Sequence, residues 1–259
     1  MAHIEGITVY PVKALDGVRP EAARVLPGGT LAGDREFALF DEDGEPFNGK
    51  RTDRVHRLDA SYDPESEVLT VGTPDGEARA FDLGSEDGRD RAAAWFGEYF
   101  DESLTLKRDR ELGFVDRRDM GPSVISTATL REVASWFDGM TVDGARRRLR
   151  ANVEVGGVPA FWEDRFVGAD APAFVAGGVR FEGVKPCGRC VVPSRDPDTG
   201  EPLSGFRERF LDRREATFPE WADRSAFDHL FALMIIARVP DADRGARLRV
   251  GDPVEVVEA

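Results

Sequence analysis

The chain is poor in cysteine, histidine and lysine, and each scarcity excludes something. Cys187 and Cys190 are the two cysteines among 259 residues. A disulfide between them would close a tiny loop and add little stability to a chain of this size, so they are not structural staples and their purpose is chemical. The three histidines, His3, His56 and His229, are scattered; a tetrahedral zinc site needs four ligands and finds no second pair among them. No apolar run approaches the roughly 18 residues of a membrane span. The opening residues, Met1-Ala2-His3-Ile4-Glu5-Gly6-Ile7, lack the basic-then-apolar layout of an export signal, so a cytoplasmic location is expected. A formal net charge of −14 argues against nucleic acid, because a polyanion is bound by a concentrated basic face. Lysine is confined to Lys13, Lys50, Lys107 and Lys185, and every other fixed cation is arginine. That scarcity, beside abundant Asp and Glu, matches adaptation to molar salt, where screening offsets self-repulsion; an ordinary acidic cytosolic enzyme is the alternative.

What is present is β-pattern. From Gly6 to Leu83 short apolar runs (Ile7-Thr8-Val9-Tyr10, Glu36-Phe37-Ala38-Leu39-Phe40, Val68-Leu69-Thr70-Val71) alternate with turn residues such as Pro27-Gly28-Gly29 and Pro74-Asp75-Gly76, which predicts a β-meander or small barrel. Ala92, Trp95, Phe96 and Tyr99 recur at helical spacing behind Ser85. The charged, irregular stretch 108–122 is the expected seam between two domains, 1–112 and 113–259. Beyond it, Leu130, Val133, Ala134 and Phe137 form one helical stripe, with a capping box expected at Thr129/Glu132. Strands are expected at 150–155, 174–175, 179–181, 190–192, 230–239 and 248–256; Pro240 decides the fifth in favour of strand over helix. The fold class is mainly β with a few helices (α+β).

Residues 184–201 carry the chemistry. Three possibilities compete for Cys187-Gly188-Arg189-Cys190. Half a zinc site lacks its partner ligands. A thioredoxin-like dithiol normally opens a helix in a βαβ unit, whereas Val191-Val192-Pro193 follows here. A single thiolate metal ligand suits Cys190, since Arg189 beside it would lower the thiol pKa and a thiolate is the donor that thiophilic transition metals select. The residues by themselves carry the choice no further.

The run Arg189-Cys190 followed by Asp196-Pro197-Asp198-Thr199-Gly200 resembles the core motif of MOSC-domain proteins, the family of molybdenum cofactor sulfurase C-terminal domains and amidoxime-reducing enzymes. Leu248-Arg249-Val250-Gly251-Asp252-Pro253-Val254 is similar to that domain's final strand, and Leu149-Arg150-Ala151-Asn152-Val153 to its Arg-x-Asn element. Val9-Tyr10-Pro11-Val12-Lys13 and Gly33-Asp34-Arg35 resemble the family's N-terminal domain. The resemblance implies an N-terminal β-barrel domain plus a MOSC β-barrel domain, and it makes Cys190, not Cys187, the molybdenum ligand and catalytic residue. The implied cofactor is molybdenum–molybdopterin, whose dithiolene brings two sulfurs and whose phosphate needs locally concentrated donors. Lys13, Arg35, Arg150 and Asn152 match the family's pterin-binding elements. Arg189 adjoins the ligand, Ser126 or Thr127 stands at a helix N-terminus where anions bind, and Arg51 is a further candidate. Each cation is also readable as a solvated surface residue, and Ser126 as a plain helix cap. One departure stands out: relatives commonly carry two hydroxyl residues soon after the ligand cysteine, and here Pro193 takes the first position, leaving Ser194. The implied activity is reduction of N-hydroxylated or other N-oxygenated compounds. No further cysteines remain for an iron–sulfur cluster, so a separate ferredoxin or reductase is the expected electron donor. A carrier of the cofactor, or of a persulfide on Cys190, without turnover is the alternative, and a metal-free dithiol oxidoreductase is the third. The sequence carries no signal for an oligomeric state.

Overall fold

The turn-punctuated apolar runs fold as strands. A computed structural model describes residues 1–258. Its first half contains β1 (His3–Ile7), β2 (Ala22–Arg24), β3 (Phe37–Phe40), β4 (Pro46–Phe47), β5 (Asp59–Asp63), β6 (Val68–Gly72), β7 (Ala78–Asp82), α1 (Glu86–Phe100) and β8 (Thr105–Arg108). The second half contains β9 (Ser123–Ser126), α2 (Thr127–Ser135), α3 (Val142–Leu149), β10 (Val153–Gly156), β11 (Ala173–Ala176), β12 (Val179–Gly188), α4 (Phe206–Ala216), β13 (Ala232–Arg238), β14 (Arg247–Arg249) and β15 (Val254–Val257). No helix among the described residues is long and apolar enough to cross a membrane.

Seven strands form one sheet in the order β1-β10-β9-β13-β12-β11-β15. Its two edges approach each other: Ile4 N donates to Asp252 O at 2.8 Å and Val254 N to Ala2 O at 3.0 Å, so the sheet is a nearly closed barrel that hides its edge groups. The barrel core holds Phe166, Phe174 and Phe181, the last two stacked at 5.0 Å. A second core lies between the small sheets β4-β3-β8 and β5-β6-β7, with α1 packed over it through Ala92, Phe96 and Phe100. Ser85 caps α1 as expected, its side chain accepting from Gly88 N. A third cluster joins α2, α3 and α4 to the sheet through Trp136, Phe137, Phe206 and Phe210.

The expected boundary at 112/113 falls in the loop between β8 and β9, but packing does not divide there. β1 pairs with β10, β2 pairs with β14, and Ile4, Ile7, Val25 and Leu31 share one core with Val153, Phe174 and Val239. Closing the barrel takes strands from both ends of the chain, so the first thirty or so residues are built into the second half's core.

Local corrections follow from side chains that periodicity does not see. Ser126, not Thr129, caps α2, accepting from Thr129 N at 3.0 Å. Thr129 is buried and accepts from Phe161 N, while Glu132 accepts from the Trp136 indole at 3.0 Å, so the capping box is not formed. The strand expected from residue 150 begins at Val153, because Arg150 ends α3 in the left-handed region (φ 57°). Residues 190–192 are not a strand: β12 stops at Gly188, and Val192–Ser194 turns as 3-10 helix with Pro193 in its first turn. The stretch expected as one strand at 248–256 is two, β14 and β15, separated by Val250-Gly251-Asp252-Pro253.

Candidate functional site

β12 delivers the two cysteines. Cys187, on the strand, is buried; Cys190, two residues past its end, is half-buried. Arg189 N donates to Phe231 O at 2.8 Å, which holds the departing chain against the segment leading into β13. Both sulfurs line a cavity of about 240 Å³ whose walls come from both halves of the chain.

The cations gather there for reasons that can be traced. Lys13 N donates to Phe37 O at 2.8 Å and Arg35 N to Tyr10 O at 2.7 Å, so backbone bonds between residues 10–13 and the start of β3 bring both side chains to the cavity. Lys13 Nζ donates to Phe114 O at 2.8 Å and to Asp116 at 2.6 Å, and Lys50 Nζ donates to the same carboxylate at 2.8 Å. Burial works to raise the pKa of Asp116, but hydrogen bonds from the two lysines outweigh it and hold the carboxyl well below its usual range. Arg35 pairs with buried Asp34.

Arg150 and Arg189 are different, because neither has a carboxylate within ion-pair distance among the described residues. Arg150 lies over the Tyr10 ring at 3.9 Å and donates to Leu15 O at 2.7 Å. Burial pushes its pKa down and neighbouring Arg35 adds to the effect, which marks a place where an anion would be stabilised. Arg189 donates to Leu149 O at 2.9 Å, and its Nε is buried without a partner. Its other nitrogen approaches Cys187 Sγ at 3.2 Å. The guanidinium expected beside Cys190 is therefore turned to the other cysteine and to the Leu149 carbonyl.

The remaining sequence candidates divide. Asn152 lines the cavity, but its amide is already committed: Oδ1 accepts from Ser123 N at 3.1 Å and Ser123 Oγ at 3.0 Å, and Nδ2 donates to Thr8 O at 3.1 Å. Ser126, Thr127 and Arg51 are not among the cavity's lining residues. Ser126 is fully buried with its hydroxyl on Thr129 and Pro159 O, Thr127 donates to Glu154 at 2.9 Å, and Arg51 pairs with Asp41. A helix N-terminus is present there, but β9 carries it away from the cysteines. His56 also lines the cavity; a lone histidine with no motif around it gives a sequence nothing to signal. Burial first, then Arg150, Arg195 and Arg148, push its pKa down to about 4, so the imidazole is neutral at pH 7. Among the described residues, no group of three or more His, Cys, Asp or Glu side chains is placed to hold a metal ion.

A model of the MOSC N-terminal beta barrel domain matches residues 1–140, and a model of the MOSC domain matches residues 118–255. The chain belongs to the MOSC-domain family. Relatives of this MOSC-domain protein include mitochondrial amidoxime reducing component 2 of Bos taurus, 23% identical over 97% of this chain and 82% of the relative. The Homo sapiens protein of the same name is 25% identical over 95% and 81%. Mitochondrial amidoxime-reducing component 1 of Xenopus laevis is 22% identical over 97% and 81%. The two matched models overlap at 118–140, on β9, α2 and the loop before them.

Proposed function

We propose that this MOSC-domain protein is an oxidoreductase that holds a molybdenum–pterin cofactor through Cys190 and reduces N-oxygenated compounds with electrons from a separate donor protein. The observation that carries the proposal is the cavity itself: a half-buried thiol opens into a space walled by Arg150 and Arg189, two guanidiniums without carboxylate partners, in a chain of net charge −14. A metal here would have to bring most of its own ligands, as a dithiolene does, and take one thiolate from the protein. The unpartnered Arg189 Nε and the uncompensated Arg150 suit an anionic group such as a terminal phosphate. The names of the relatives, amidoxime reducing components, support the substrate class.

When bound, the molybdenum–pterin group supplies the two-electron removal of oxygen from an N–O bond. The chain's own residues bind and orient. Cys190 is the thiolate donor, and Arg150, Arg189, Lys13 and Arg35 hold the anionic and polar groups. Arg35 and Lys13 are kept in place by Asp34 and Asp116, and the Tyr10 ring supports Arg150. The test is molybdenum per chain by elemental mass spectrometry, on protein from a host that makes the cofactor. Near-stoichiometric metal that disappears in Cys190→Ser and is largely kept in Cys187→Ser is expected, together with oxidation of a reduced viologen dye on adding benzamidoxime. Metal without turnover would favour a cofactor carrier. Absence of metal would overturn the proposal, and equal loss of activity in both cysteine variants would favour a dithiol enzyme.

A further inference from the structure

Besides the two cysteines, five uncharged polar side chains line the cavity: Thr30, Asn48, His56, Ser123 and Asn152. Most of their hydrogen-bonding capacity is already used within the chain. Thr30 Oγ1 donates to Leu112 O at 2.7 Å. Asn48 donates to Pro46 O at 3.2 Å and accepts from Lys50 N at 2.9 Å. Ser123 and Asn152 bond each other at 3.0 Å. His56 is the exception, because its Nε2 is buried and has no partner.

The imidazole is held there by construction. His56 sits in the 3-10 turn Arg54–Arg57 with its backbone N–H on Asp53 O at 3.0 Å. The adjoining loop packs closely against it at Gly49, where a Cβ would stand 3.1 Å from Nε2. Arg195 donates to Gly49 O at 2.6 Å and fixes that loop. Ser194, the one hydroxyl left soon after Cys190, does not supply a substitute contact, since its Oγ donates to Val191 O at 2.6 Å. A buried ring nitrogen without a partner costs free energy that a ligand's hydrogen bond would return.

On the reductase reading above, we propose that His56 is the specificity-determining contact for the substrate's N-hydroxyl group in the Cys190 cavity. The chemistry favours substrate over cofactor. Anionic groups are matched by Arg150 and Arg189, whereas a neutral imidazole nitrogen can form a single hydrogen bond with N–OH, accepting from its O–H or donating to its oxygen. Burial and the facing guanidiniums of Arg150, Arg195 and Arg148, opposed by Asp53, keep it uncharged.

The test reads binding directly. The chain has three histidines, so imidazole nitrogen NMR of the cofactor-loaded protein resolves each one. Adding benzamidoxime should shift the His56 nitrogens and leave His3 and His229 unmoved. His56→Ala should keep its molybdenum and raise KM for benzamidoxime about tenfold or more with a smaller change in kcat, and His56→Gln should restore part of the loss. Loaded, active protein in which the His56 nitrogens do not move and KM is unchanged would overturn the inference and leave the reductase reading intact. Molybdenum lost in His56→Ala would overturn it by making His56 a cofactor-holding residue. Wild-type protein without molybdenum would remove the reductase reading and this inference with it.

Discussion

Glu163→Gln tests an electrostatic conflict buried in the fold. Glu163 is fully buried in the 3-10 turn Trp162–Phe166; one carboxyl oxygen accepts from Ser126 N at 3.2 Å and the other has no partner. Next to it Asp164 pairs with Arg214, whose guanidinium lies 4.4 Å from the Phe161 ring centroid and 5.0 Å from that of Phe218. Arg214 therefore serves Asp164, and burial followed by the charge of Asp164 pushes the Glu163 pKa up to about 8. The folded value lies above the unfolded one, so the folded state keeps a proton that the unfolded chain has released. The resulting stabilisation is full below the unfolded pKa, declines by about 1.4 kcal/mol per pH unit above it, and is lost as pH rises through the folded value. Between pH 6 and pH 8 that amounts to about 2 kcal/mol, or roughly 4–8 °C in Tm for a chain of this size. Glutamine copies the protonated form, can still accept from Ser126 N, and does not titrate. The expected result is that Glu163→Gln and wild type melt nearly together at low pH, and that the variant gains about 2 kcal/mol on wild type between pH 6 and pH 8. The assay is thermal unfolding of both proteins across that range. A Tm difference that stays flat from pH 6 to pH 8 would refute a protonated Glu163.

Asn152→Ala strands the buried Ser123 N–H and the Thr8 carbonyl at once and should cost about 3 kcal/mol in urea unfolding; a cost under about 1 kcal/mol would show that the amide is not the clamp between β9 and the residue that follows β1. Arg150 occupies the left-handed region at φ 57°, so in the same assay Arg150→Gly should be more stable than Arg150→Ala by about 1 kcal/mol, while both lose the Tyr10 and Leu15 contacts.

Some of this protein was legible because the signals are local. Ser85 before a 3.6-residue apolar stripe predicts α1, and Pro240 closing an apolar run predicts β13 as strand; in both cases the deciding atoms lie within a few residues. The Arg189-Cys190 and Asp196-Gly200 elements point to the family for a similar reason, since a cysteine motif and a turn are short-range patterns. α3 and α4 were not legible. In α3 three consecutive arginines, Arg146, Arg147 and Arg148, overlie a stripe of only Ala145 and Leu149, and in α4 one of the three buried positions is Arg214, whose partner Asp164 lies 50 residues away.

The sequence by itself therefore determined the strand-rich class, the family, the cysteine pair and most of the cations of the cavity, because each depends on residue type and short spacing. Only the tertiary structure decided which of those residues meet. The pairing of β1 with β10 brings Tyr10 under Arg150, and the folded chain places His56 on the same cavity as Cys190, in both cases across separations of more than a hundred residues. It also sends the Arg189 guanidinium to Cys187 and leaves Ser126 and Thr127 outside the cavity. A guanidinium takes whichever acceptor the closed chain presents, and no spacing along the sequence records that choice.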